Sequence, residues 1–102
     1  MKIIKCLSEL IEDELNDACH YIDLAMKWKQ DEPDTAELFY ELSLAEMEHM
    51  DRLHNEVAEL IEEHRKEHGE PPKEMMVLYD YLHQKHIGHA TEIRVKQGMY
   101  KA

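Results

Sequence analysis

Within the stretch Leu44-Ala45-Glu46-Met47-Glu48-His49-Met50, a carboxylate and an imidazole stand three residues apart, at Glu46 and His49. On a helix that spacing sets both side chains on one face, one turn apart, where together they can bind one metal ion. A second carboxylate, Glu14, interrupts an otherwise apolar helical stripe upstream. A buried carboxylate without a partner costs several kcal/mol. Two such groups side by side repel unless a cation lies between them, and a divalent metal meets that need. His49 adds a nitrogen ligand. A carboxylate-rich set with one imidazole suits iron or manganese; zinc is possible but more usually takes cysteine or more histidine. The competing reading pairs Glu14 and Glu46 with a lysine or histidine, or turns them outward on a slightly rotated helix.

Three helices have to position these groups. Ile4, Leu7, Ile11, Glu14, Ala18, Tyr21, Ala25 and Trp28 recur at steps of three and four, which predicts a packed helix over about 3–29. Gln30-Asp31-Glu32-Pro33-Asp34 breaks it, and Asp34 with Glu37 forms a candidate capping box for the next. The second helix spans about 35–68, with Leu38, Leu42, Ala45, Glu46, His49, Leu53, Val57 and Leu60 on its stripe and Gly69 as its stop. His64, Arg65, Lys66 and His68 place cations at its C-terminus, against the helix dipole. Asp51 and His54 repeat the spacing of three but lie off the stripe, so they read as surface. Pro71 and Pro72 open a third helix over about 72–100. Its stripe, through Met75, Leu78, Tyr79, Leu82, His86, His89, Ile93 and Tyr100, turns His86 and His89 inward and leaves His83 on the flank. Gly88, between the inward histidines, marks either a close helix contact or simple tolerance. Connections this short make consecutive helices antiparallel, so Glu14 and Glu46 come to similar heights.

The composition bounds the rest. The 102 residues form one small domain, and a chain with 34% charged residues, three prolines and three glycines reads as all-α. A net charge of −11 argues against nucleic acid and anionic membrane partners and favours attraction of cations. Cys6 and Cys19 lie 13 residues apart, about 20 Å along one helix, too far to bridge. They read as reduced thiols of a cytoplasmic protein. Charge throughout the first twenty residues speaks against a signal peptide, and no run of 18 apolar residues is present.

Residues 7–55 resemble the first half of a rubrerythrin-like, ferritin-like di-iron protein. In that family the first helix carries a ligand Glu followed seven residues later by Tyr, here Glu14 and Tyr21. The second carries Glu-x-x-His, here Glu46 and His49. The resemblance implies a Glu46 that bridges two irons, a terminal Glu14, and His49 on one iron. The chain departs from the family in one respect: the family repeats this hairpin, and here one copy is clear. Two completions follow. Two subunits can set their hairpins face to face, as the resemblance to the short-chain encapsulated ferritins implies, which is the favoured reading. Otherwise the third helix supplies substitutes such as His86 and His89.

The expected function is therefore a ferritin-like metal-binding protein, a homo-oligomer with a di-iron carboxylate site that oxidises ferrous iron with dioxygen or peroxide. Tyr21 is the candidate redox residue, although a core tyrosine with a satisfied hydroxyl reads equally well. The alternative is a non-enzymatic helical assembly protein with a structural metal or none. A transition-metal module on His83, His86 and His89 is a further reading, but two steps of three spread those rings over about 120° and about 9 Å of the helix, beyond the reach of one ion.

Overall fold

A computed structural model describes residues 1–102. Three α-helices account for nearly all of it: α1 (Lys2–Trp28), α2 (Pro33–His68) and α3 (Lys73–Lys101). The all-α, three-helix arrangement expected from the sequence is what the chain adopts. The bundle is a rod of 56 × 19 × 17 Å. Glu14 lies opposite His49, and Ala18 opposite Ser43, so α1 and α2 run antiparallel. Asp51 faces Arg94 while Glu37 faces Tyr100, so α3 runs antiparallel to α2 and parallel to α1.

The helix ends follow local chemistry. Pro33 takes the first turn of α2, where its missing N–H is no loss. The break thus ends before the proline, and the expected capping box does not form. Glu32 is the N-cap without a side-chain bond, and Asp34 sits inside the first turn, where its charge suits the dipole. Glu37 instead accepts from the Tyr100 hydroxyl at 3.0 Å and from the Lys101 ammonium at 3.0 Å. Lys101 first, then Tyr100, hold the Glu37 carboxyl below its usual range. Gly69 stops α2 as expected: its φ of 80° is open to glycine, and its N–H donates to the Arg65 carbonyl.

The buried face of α1 reads Ile4, Leu7, Ile11, Leu15, Ala18, Ile22 and Ala25. The expected stripe holds at Ile4, Leu7, Ile11, Ala18 and Ala25 and is shifted by one residue at Glu14 and Tyr21. Leu15 and Ile22 take the core positions assigned to Glu14 and Tyr21, because either neighbour sits near the same face and the apolar one gains more by burial. Trp28 lies at the exposed end. On α2, Ala36, Ser43, Met47, Met50, Val57 and Ile61 are buried, while Leu38 is exposed. The same one-residue shift puts Met47 and Met50 inward in place of Glu46 and His49.

Alanines line much of the α1–α2 contact. Ala18, Ala25 and Ala36 are fully buried, and such small side chains let two helix backbones approach closely. At that level the Ser43 hydroxyl donates to the Ala18 carbonyl at 2.8 Å, and the Gln97 amide donates to Ser43 Oγ at 2.9 Å. One buried hydroxyl therefore ties all three helices together.

The third helix docks by its C-terminal half. Ala90, Ile93, Gln97 and Tyr100 are its buried residues, and none lies N-terminal to Ala90. Tyr100 stacks on Tyr40 with ring centroids 4.9 Å apart, and its carbonyl accepts from Lys29. Lys96 donates to Asp23 at 2.9 Å, an ion pair that ties α3 to α1. Leu78, expected on the inner stripe, is exposed. No atom lies within 4 Å of the place a Gly88 side chain would occupy, so tolerance, not a close contact, accounts for that glycine.

Replacing Ser43 by alanine leaves the buried Gln97 amide without its acceptor, so Ser43→Ala is expected to destabilise the chain by about 1–3 kcal/mol. Adding Gln97→Met removes the orphaned amide and recovers most of that loss. Urea denaturation of both variants checks this, and equal stability of the single and double variants would contradict it.

Candidate metal centre

Glu14 reaches the centre from the middle of α1, and Glu46 and His49 from one face of α2. His49 Nδ1 lies 3.5 Å from Glu14 Oε2 and 3.7 Å from Glu46 Oε2. One ligand atom from each residue falls within 4.8 Å of the others, and no other group of three such residues in the chain does so. The antiparallel register places Glu14 level with the turn that carries Glu46 and His49, as the sequence suggested.

Burial is less complete than the sequence suggested. The Glu14 and Glu46 side chains keep 25% and 20% of their accessible surface, and His49 keeps 53%. The three groups sit on the rim of the α1–α2 interface, with Leu15 and Met47 sealing the core behind them. This follows from the one-residue shift of both stripes. Even so, Glu14 Oε2 itself is buried and has no hydrogen-bond partner; His49 Nδ1 stands 3.5 Å away without forming one. A single imidazole brings at most one positive charge to two carboxylates. Arg52 and Glu56 line the shallow opening beside Glu14 and His49.

The remaining sequence candidates lie elsewhere. His86 and His89 do not join the cluster, so within one chain α3 does not complete it: His86 instead lines the α2–α3 cavity with Met50, His54 and His83. Tyr21, seven residues or about 10 Å along α1 from Glu14, is half-buried and stacks on Phe39 with centroids 6.5 Å apart.

One pairing escaped the sequence reading. His54, taken as surface, is half-buried and meets His83 across the α2–α3 groove, Nε2 to Nδ1 at 3.0 Å. Tyr79 stacks on His83 at 5.7 Å. The available signal was a pair of matched spacings, Asp51–His54 and His83–His86, at facing heights of two antiparallel helices. Burial first, then the charge of His83, pushes the His54 imidazole below its ordinary value, against the pull of Asp51. Burial also lowers His86, opposed by Glu12 and reinforced by His83, Lys85 and His89.

Comparison with protein-family models, curated proteins and solved structures finds no match to this chain.

The two depressed histidines set the sign of one pH effect. Just below pH 6.5, the ordinary histidine value, the unfolded chain binds more protons at His54 and His86 than the folded chain does. Their contribution to stability is therefore present above that pH and is lost as pH falls. Urea midpoints taken between about pH 7.5 and pH 5.5 are expected to fall less steeply in a His54→Gln, His86→Gln variant than in the unmodified chain. An unchanged slope would remove this account.

Proposed function

We propose that the chain is a ferritin-like metal-binding protein in which Glu14, Glu46 and His49 form half of a di-iron carboxylate site. The observation that supports this reading is the mid-bundle convergence of the three ligand atoms, with Glu14 Oε2 buried and unpartnered. The donor set is mostly carboxylate with one imidazole, which suits iron or manganese. One chain offers too few ligands for two ions. A second copy, related by a two-fold axis, doubles the set to four carboxylates and two imidazoles, the complement used by di-iron carboxylate bundles.

The surroundings favour such a partner. Leu10, one turn before Glu14, is exposed, and Leu42 and Leu53 flank Glu46 and His49 half-buried on the same side. A copy of the chain laid on this face would cover them and close the open side of the ligands. In the dimer both copies of Glu14, Glu46 and His49 would hold the two ions, the glutamates through oxygen and His49 through nitrogen. Ferrous ions held there are the substrate, and dioxygen or peroxide is the acceptor of their electrons. Tyr21 lies in the adjoining layer as an electron donor or as a group that tunes the site. The acidic surface draws cations toward it. Both cysteines are free, which fits the reducing cytoplasm. No helix is long and apolar enough to cross a membrane.

A second reading is a helical assembly protein with a structural metal or none. It is favoured by Val77, Leu78 and Tyr81, which are exposed on the loosely docked half of α3 and need no metal to act as an interface.

Metal analysis of protein prepared without chelator separates the two. The di-iron reading expects about one iron per chain in a dimer, oxidation of added ferrous iron, and loss of both in Glu46→Ala. A metal-free oligomer whose stability is unchanged by Glu46→Ala supports the assembly reading and rejects the first.

A further inference from the structure

His54 follows His49 by five residues, so its side chain leaves α2 about 140° around the helix axis from His49 and about 80° from Glu46. It points to α3, not to α1. There His54 Nε2 and His83 Nδ1 stand 3.0 Å apart. At metal–nitrogen distances of 2.0–2.1 Å, two imidazole nitrogens at right angles or tetrahedral angles on one ion lie roughly 2.9–3.4 Å from each other. The observed separation is that of two ligands on a single cation. Between neutral rings the same gap holds one shared proton, donated by one nitrogen and accepted by the other, which a metal ion can replace.

The walls around the pair suit an ion. His54 and His83 line a cavity of about 310 Å³ with Asp51, His86 and Arg94. Asp51, one turn before His54, brings a carboxylate, held 3.4 Å from Arg94. His86, one turn after His83, has a buried Nε2 with no hydrogen-bond partner. Tyr79, stacked nearly parallel on His83, fixes the orientation of that ring.

We propose that His54 and His83 form a second metal site, separate from the Glu14–Glu46–His49 cluster and independent of its function. Its imidazole donors select a divalent cation of borderline softness, such as zinc, nickel or cobalt, where the carboxylate cluster suits harder ions. Asp51 supplies the neighbouring negative charge, and water or a rotated His86 fills the remaining coordination. The site also has a mechanical consequence. It joins α2 to the half of α3 that has no buried residue of its own, so occupancy clamps that half onto the bundle and stabilises the chain with the logarithm of metal concentration.

The test uses zinc and cobalt with Glu46→Ala protein, so that the carboxylate cluster does not contribute. Calorimetry is expected to show one zinc per chain, with a rise in melting temperature and a cobalt absorption spectrum of nitrogen ligation. His54→Gln and His83→Gln, each made separately, should weaken binding by at least the ~10–100-fold that loss of even an outer partner costs. The His64–His68 pair, one turn apart on α2 with His68 exposed, is the competing site, and His68→Gln is its control. Binding that survives both His54→Gln and His83→Gln, or that disappears with His68→Gln, overturns the proposal. Anomalous scattering at the zinc edge from crystals of the unmodified protein decides the matter without any variant: a peak between His54 and His83 supports it, and a map with none there rejects it.

Discussion

The hydrogen bond from Ser43 to the Ala18 carbonyl is the constraint on which the rest of the molecule depends. It is buried, so breaking it exposes no compensating water and the register it defines is costly to change. Two helices packed only by smooth apolar faces could slide by a turn with modest loss. Here the hydroxyl has one acceptor at one height, and Ala18, Ala25 and Ala36 hold the backbones close enough for it to reach. Once that level is set, Glu14 falls opposite Glu46 and His49 with no further adjustment. Gln97 carries the same restraint to α3.

That register explains why the acidic cluster is both short of partners and accessible. Had Glu14 and Glu46 taken the core positions, each would have needed a partner strong enough to offset full desolvation. Placed one residue around, they share the rim with His49 and keep part of their surface in water. The remaining cost is concentrated in one oxygen, Glu14 Oε2, which neither water nor a hydrogen-bond donor reaches. A rim position also leaves one side of the ligand set open, so a second chain or a solvent-borne ion can approach where a core position would have closed it off.

The third helix divides the molecule into a tight end and a loose end. Near the α1–α2 turn, Tyr100, Lys101, Lys96 and Gln97 lock it down by stacking, ion pairs and a buried amide. Toward its start, the contacts are a pair of histidines and a few half-buried apolar groups. Weakly packed segments open at low free energy, so the α2–α3 groove around His54 and His83 belongs to the part of the molecule most able to adjust to what binds there.

Much of this was legible in the residues themselves. The three helices, the stop at Gly69 and the antiparallel order follow from periodicity, breakers and short connections, all of which act within a few residues along the chain. The pairing of Glu14 with Glu46 and His49 was legible for the same reason, since height along two antiparallel rods is a matter of counting. What counting could not supply was rotation. Whether Glu14 or Leu15 faces inward turns on about 100° of helix azimuth, and that angle is chosen by the competition of all three helices for one core. The same competition moved Met47 and Met50 inward, drew His54 from the presumed surface to His83, and kept His86 and His89 away from the carboxylates. Local sequence determined which segments are helical and how far along each its polar groups lie; only tertiary packing decided which way they turn, because burial free energy is shared among neighbours that no single helix contains.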